Sequence, residues 1–151
     1  MASVSVQAAD FDAAAEAAAL TAGRTDLGAV VSFVGLCRDE GGALEALEIE
    51  HYPVMAEAEI ARVCAEAERR WPLGGCRVIH RHGAIRPGDN IVLVVTASAH
   101  RSAAFAAADF LMDYLKSEAP FWKRNRWRDA ASGAGWVAPK PSDAAALDRW
   151  R

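Results

Sequence analysis

Residues 28–52, GAVVSFVGLCRDEGGALEALEIEHY, decide the fold of this chain. The first eight residues are apolar and β-branched between two glycines, which predicts a buried strand. A Gly-Gly turn follows at 41–42, and apolar residues at 44, 47 and 49 predict a second strand. We therefore expect an antiparallel pair of strands joined by a loop.

The flanking sequence alternates helical and strand-like patterns without regular βαβ repetition. Helices are predicted at about 10–20, 53–71 and 100–117 and near the C-terminus, and further strands at 4–6, 76–82, 90–97 and 136–137, with a glycine-containing turn at 133–135. Hairpins mixed with three to four amphipathic helices predict an α+β fold. The length favours one domain over residues 1–151.

The composition is that of an acidic protein with one hydrophobic core. The chain has 151 residues, of which 52% are hydrophobic, and a formal net charge of −3. Its three cysteines form no CxxC pair, so we expect reduced thiols in a cytoplasmic protein. No apolar run approaches the roughly 18 residues that span a bilayer, so membrane insertion is not expected.

Positive charge is concentrated in residues 116–128. Five cationic side chains and one carboxylate give this segment +4, against −3 for the whole chain, so the remainder carries −7. A local basic patch on an acidic chain favours a particular anion, such as a phosphate or carboxylate. Two alternatives remain open. The long cationic side chains could belong to a solvated loop, or, together with the three large aromatics, they could form a module that binds single-stranded nucleic acid.

Lys116 and Lys123 are the candidate catalytic residues within this segment. A lysine near apolar and cationic neighbours has a lowered pKa, which frees an amine for proton transfer or for attack on an activated acyl group. The alternative is a pair of ordinary solvated lysines.

Candidate anion-binding residues lie at two predicted strand ends. Arg38 follows the strand at 28–35, and His100 and Arg101 lie where the strand at 90–97 gives way to a helix. Free N–H groups and the helix dipole favour anions at such a junction. A surface salt bridge for Arg38, and a capping or surface arrangement for His100 and Arg101, remain open as alternatives.

Two other chemistries have weaker support. His80 and His82, with His51 or His100, could bind a metal, but no carboxylate or cysteine at ligand spacing completes the set, so no metal is predicted. Cys37 beside Arg38 could be an activated thiol, but its place at the end of an apolar strand favours packing.

The spacing along the third predicted helix bears on assembly. Arg101 and Lys116 are 15 residues apart, or about 22 Å along the helix axis, so one small ligand cannot touch both. If both ends serve one site, two copies of the chain must contribute to it.

Seven runs in order along residues 28–128 resemble the large, catalytic subunit of molybdopterin synthase, the MoaE family. They lie at residues 33–38, 47–53, 70–74, 78–81, 87–89, 98–102 and 112–124. The resemblance implies an α/β-hammerhead-containing fold and a homodimer with a small ubiquitin-like sulfur-carrier subunit at each end, forming a heterotetramer. It further implies that the carrier's Gly-Gly thiocarboxylate supplies two sulfurs to cyclic pyranopterin monophosphate, giving molybdopterin without a metal or dissociable cofactor.

The same resemblance assigns roles to individual residues. Lys116 and Lys123 would act at the thiocarboxylate and the reacting carbons. The phosphate of the pterin would be held by Arg38, His100 and Arg101, the last two from the other chain, and Arg124 would help to hold the substrate.

The chain departs from the family pattern at two positions. Leu36 stands where a lysine is expected two residues before Arg38, and Asn125 stands where an acidic residue usually follows the Lys-Arg pair. The first removes one expected phosphate contact, and the second removes a partner that would orient Lys123 or Arg124. Activity is expected to persist because both lysines remain, and the alternative is a catalytically impaired dimeric scaffold.

Overall fold

A computed structural model describes residues 2–129, 136–138 and 140–151 and shows two sheets and four helices in these ranges. The predicted turn at 133–135 lies outside the described residues. The elements in chain order are β1 (Ser3–Gln7), α1 (Ala13–Thr21), β2 (Ala29–Leu36), β3 (Leu44–His51), α2 (Pro53–Arg70), β4 (Leu73–Arg81), β5 (Gly83–Ile85), β6 (Asn90–Ser98), α3 (Arg101–Ser117), β7 (Phe121–Trp127) and α4 (Pro141–Asp148).

The strands form a large sheet in the order β1-β4-β6-β2 and a small sheet in the order β5-β3-β7. The β1-β4 pair is parallel and the other pairs are antiparallel. Mixed sheets and helices without βαβ repetition confirm the predicted α+β class. Instead of the predicted strand at 136–137, Trp136 makes an isolated bridge to Arg124.

The predicted antiparallel pairing within residues 28–52 is wrong. β2 pairs with β6 in the large sheet, whereas β3 pairs with β5 and β7 in the small sheet. β6 is an almost continuously buried apolar run, and such a strand needs a neighbour on each edge, which β2 and β4 supply. The Gly41-Gly42 turn, with φ of 62° and 83°, carries the chain from one sheet to the other.

The basic and aromatic segment is mostly a strand, not a solvated loop. β7 lies in register with β3, which places Arg124 opposite Glu48. The Glu48 carboxylate accepts hydrogen bonds from Arg124, at 2.9 Å from Nε, and from Arg126. The carboxylates of β3 therefore favour pairing of this strand with the cationic β7.

The main core lies between the large sheet and helices α2 and α3. α2 buries Ala56, Ile60, Val63, Cys64 and Ala67 on one face, and its opposite face carries the ion pairs Arg62–Glu59 and Arg69–Glu66. Phe110 of α3 is completely buried at the centre of this core. No helix of the described residues has the length and apolarity that crossing a bilayer requires.

Candidate active site

Two joined cavities lie where the C-terminal end of α3 meets β7 and the large sheet. The first has a volume of about 360 Å³. It is lined by Phe33, Val34, Gly35 and Leu36 of β2, His80 of β4, Ile91 and Val92 of β6, Met112, Leu115 and Lys116 of α3, and Lys123 of β7. A concave, mostly apolar space with a few convergent polar groups is typical of a small-molecule site.

The second cavity is narrower, at about 140 Å³, and extends toward α4. It shares four lining residues with the first and adds residues of β7, α4 and their connection. The shared residues are His80, Leu115, Lys116 and Lys123, and the added polar ones include Ser117, Lys140 and Asp143. The lysines therefore lie at the junction of a wider and a narrower space.

Both predicted catalytic lysines line this junction. Alternation along β7 turns the side chains of Phe121 and Lys123 to the cavity side, and Lys116 lies in the last turn of α3. Burial, followed by the nearby charge of Lys116, lowers the pKa of Lys123 from its usual range; Asp143 raises it by a smaller amount and Lys140 lowers it slightly further. The predicted lowering is thus confirmed for Lys123, which can supply a free amine more readily than an ordinary lysine.

His80 forms the wall between the two cavities. Its side chain is 4% exposed, and its ring stacks on Phe121 with centroids 3.8 Å apart. Nδ1 lies 2.8 Å from the carbonyl oxygen of Arg81. Burial, aided by the charge of Lys123, lowers the pKa of His80 to about 3 despite that hydrogen bond. The ring is therefore a neutral group between two cations.

The predicted phosphate-binding residues lie away from these cavities. Arg38, His100 and Arg101 are exposed, and none of them lines either space. α3 separates Arg101 at its first residue from Lys116 near its last, so the distance of about 22 Å along the axis stands. His100 precedes the helix and makes no side-chain capping bond, so the N-terminal N–H groups of α3 are not capped by it.

The MoaE protein family model matches residues 6–118. The chain belongs to the MoaE family. A Molybdopterin synthase catalytic subunit from Mesorhizobium japonicum is 68% identical over 148 residues, which cover 98% of this chain and 92% of that protein. The relatives confirm the predicted family and enzyme class.

Solved structures agree with this assignment. The Molybdopterin biosynthesis MoaE protein from Burkholderia ambifaria superposes with a TM-score of 0.84 at 46% identity, covering 99% of this chain and 98% of that one. A complex of subunits 1 and 2 of Molybdopterin-converting factor from Helicobacter pylori shares the fold, with a TM-score of 0.70 at 19% identity, covering 93% and 90% of the two chains.

Arg124, predicted to bind substrate in this MoaE chain, lies on the face of β7 opposite Lys123. Its guanidinium pairs with Glu48 and lies 5.3 Å from the centroid of the Trp136 ring. With Arg126 also paired to Glu48, two cations of the segment already have a carboxylate partner. This weakens the nucleic-acid alternative, which needs free cations.

The positions that depart from the family pattern have different surroundings. Leu36 is 56% exposed and lines the first cavity, whereas Asn125 is half-buried in β7 opposite Leu47. Cys37 is 3% exposed in a small core with Ile85, and burial raises the pKa of its thiol. Its predicted packing role is confirmed.

The aromatic residues of the segment divide by position. Phe121 lines the second cavity and Trp127 packs against the small core, whereas Trp122 is 41% exposed and makes an edge contact with Tyr52. Phe121 also packs against the core, so it both lines the cavity and supports it, whereas Trp127 only packs and Trp122 does neither.

Sequence reasoning missed His80 as a wall of the site, because it considered this residue only as a metal ligand. The His51 and His82 rings instead contact each other, with centroids 4.2 Å apart, and burial lowers the pKa of His82. Across the described ranges, no three His, Cys, Asp or Glu side chains are grouped to hold a metal ion. Lys140, which precedes α4, and Asp143 of α4 belong to no sequence motif that could have revealed their place in the second cavity.

Proposed function

We propose that this chain transfers sulfur from a carrier thiocarboxylate to cyclic pyranopterin monophosphate, with Lys116 and Lys123 as the catalytic residues. The observation that carries the proposal is the position of both lysines at the junction of two joined cavities, one of them with a lowered pKa. We further propose that residues 1–151 act as one domain in the cytoplasm, where the three free thiols would remain reduced.

The chemistry requires the residue types found at the junction. The thiocarboxylate sulfur bonds to a carbon of the precursor, and water then attacks the acyl carbon, so that the acyl C–S bond breaks, the sulfur stays on the precursor and the carrier leaves as a carboxylate. The tetrahedral intermediate of that hydrolysis is anionic, so fixed cations stabilise the developing charge. A lysine with a lowered pKa can also take up and return a proton. Lys116, which is more exposed, would supply positive charge while Lys123 exchanges protons.

The second cavity is the proposed path of the carrier tail. Its volume of about 140 Å³ suits an extended Gly-Gly end, which has no side chains, better than a bicyclic pterin. The wider first cavity, at about 360 Å³, would take the pterin. The small-subunit partner is consistent with the two-subunit complex of the Helicobacter pylori neighbour.

The phosphate is proposed to be held by a second copy of the chain. The cavities contain no arginine among their described lining residues, while Arg38, His100 and Arg101 are exposed elsewhere. Because about 22 Å of helix separates Arg101 from Lys116, His100 and Arg101 would meet the lysines only across a dimer interface, whereas Arg38 follows Leu36 of the first cavity on the same chain. With a carrier subunit on each copy, the assembly is a heterotetramer.

Subunit mixing tests the lysine role and the shared site together. Homodimers of Lys116→Ala and of Arg101→Ala should each lose nearly all conversion of the precursor. A randomly mixed 1:1 preparation should regain about a quarter of wild-type activity, since half the dimers are mixed and each mixed dimer keeps one intact site of two. The assay measures molybdopterin formed from thiocarboxylated carrier and precursor.

Lys116 is exposed, so its replacement should leave the dimer folded, which thermal unfolding checks. Normal turnover by the Lys116→Ala homodimer would contradict the catalytic role. Zero recovery in demonstrably mixed dimers would place Arg101 and Lys116 outside a shared site. Inactivity of the unmutated protein with both substrates would favour the impaired scaffold that Leu36 and Asn125 suggest.

A further inference from the structure

His80 is a buried polar side chain at the active site that no assigned role uses. It is the next-to-last residue of β4 and is 4% exposed. It lines both cavities together with Lys116 and Lys123. A histidine buried only for packing would not need to border both cavities, which also contain the two candidate catalytic lysines.

The hydrogen bond of its ring fixes the tautomer. A carbonyl oxygen can only accept, so Nδ1, 2.8 Å from the carbonyl oxygen of Arg81, carries the proton. Because burial keeps the ring neutral, the other nitrogen, Nε2, presents a lone pair.

That lone pair borders the cavity and has no partner within the described ranges. No described residue donates a hydrogen bond to Nε2. Among the described side chains, Ser117 Oγ is the one fully enclosed nitrogen or oxygen without a hydrogen bond, so Nε2 is not sealed from the cavity space. An acceptor thus faces the space that Lys123 also lines.

Lys123 is within reach of this acceptor. The His80 ring stacks on Phe121, and Phe121 and Lys123 lie two residues apart on the same face of β7, about 7 Å between their Cα atoms. Lys123 and the His80 ring also line the same two cavities, so the lysine amine and the ring share one space. The charge of Lys123 also acts on the His80 ring, as expected for close neighbours.

We propose that His80 is a positioning residue: its neutral Nε2, which has no donor among the described residues in this structure, accepts a hydrogen bond from the Lys123 side chain when that side chain turns toward it, and so directs the amine to the cavity junction. This inference rests on the proposed function of Lys123. A carboxylate at this place would also accept the bond, but its charge would hold the proton on the lysine. A neutral imidazole orients the amine and leaves its proton free to transfer.

A matched pair of substitutions separates this role from packing. His80→Gln places an amide oxygen near the position of Nε2, whereas His80→Asn keeps a donor near Nδ1 and removes the Nε2 acceptor. Both variants lose the stacking ring, so a packing role would impair them equally. We expect His80→Asn to lower kcat about tenfold or more with little change in KM for the precursor, and His80→Gln to stay within a few-fold of wild type.

A second measurement needs no substrate and no variant at His80. In the intact chain, nitrogen NMR should show an unprotonated His80 Nε2 whose chemical shift changes in Lys123→Met. Equal losses in the Asn and Gln variants, or an Nε2 shift unchanged in Lys123→Met, would overturn the positioning role. Full turnover by Lys123→Met would instead refute the proposed function, whatever the NMR result.

Discussion

Replacement of His80 by glutamine should make the protein less sensitive to mild acid. The pKa of His80 is lowered from 6.5 to about 3 in the folded chain, because burial disfavours the imidazolium. Between pH 6.5 and about pH 3, therefore, His80 is protonated in the unfolded chain but not in the folded chain. The stabilising contribution is fully present above about pH 6.5 and is lost as the pH falls toward 3.

The size of the effect follows from the same two pKa values. Each pH unit within the window costs about 1.4 kcal/mol of unfolding free energy per proton. From about pH 8 to about pH 5 the protein should lose about 2 kcal/mol through His80, since only the interval below 6.5 contributes. Crossing the whole window would cost on the order of 5 kcal/mol.

Urea unfolding at both pH values, in wild type and His80→Gln, measures this contribution. Carboxylates and the other histidines titrate in both proteins, so the difference between their pH dependences isolates His80. We expect wild type to lose about 2 kcal/mol more than the variant between the two conditions. Parallel stability curves would refute the assignment of His80 as a buried neutral group. His82→Gln is a suitable comparison, because His82 is less buried and its loss should change the curve less.

Three further predictions concern the core, the contact of α3 with the C-terminal residues, and the buried thiols. Phe110→Ala should lower the free energy of unfolding by about 3–5 kcal/mol in urea denaturation, because the completely buried ring contacts Trp150 and other aromatics; a loss below about 1 kcal/mol would contradict this. Asp113→Ala should accelerate amide hydrogen exchange in α4 but not in β6, because it removes the carboxylate that accepts from Trp150 Nε1 at 2.5 Å; unchanged α4 exchange would oppose it. Cys64 and Cys76, both buried, should resist thiol reagents until unfolding, and rapid native labelling would show the burial is incomplete.

The sequence predicted the elements better than their partners. α2 and α3 were recognisable because apolar residues recur at helical spacing, and β6 because it is a continuous apolar run. The pairing of β2 with β6 was not recognisable, because proximity along the chain favoured β3 and register is a non-local property. The cationic residues of β7 resembled a loop until the carboxylates of β3 provided a partner strand.

The candidate site was predictable to a different extent for each group. Lys116 and Lys123 were identified through motifs of the MoaE family, and the structure brings both to one junction. His80 was missed because its spacing to His82 suggested only a metal ligand, and only the fold shows which spaces it borders. Arg124 had the right charge, but strand alternation turns it to the opposite face.

The arrangement of charge agrees with the proposal that the site is completed by a second copy of the chain. Lys116 and Lys123 already repel each other at the junction, which contributes to the lowered pKa of Lys123. Adding the arginines of a phosphate grip to the same cavity would raise the cost of burying uncompensated positive charge before substrate arrives. Placing Arg101 about 22 Å away on the same helix avoids that cost in the isolated chain. A second copy can then bring the arginines to the substrate, where its phosphate balances their charge.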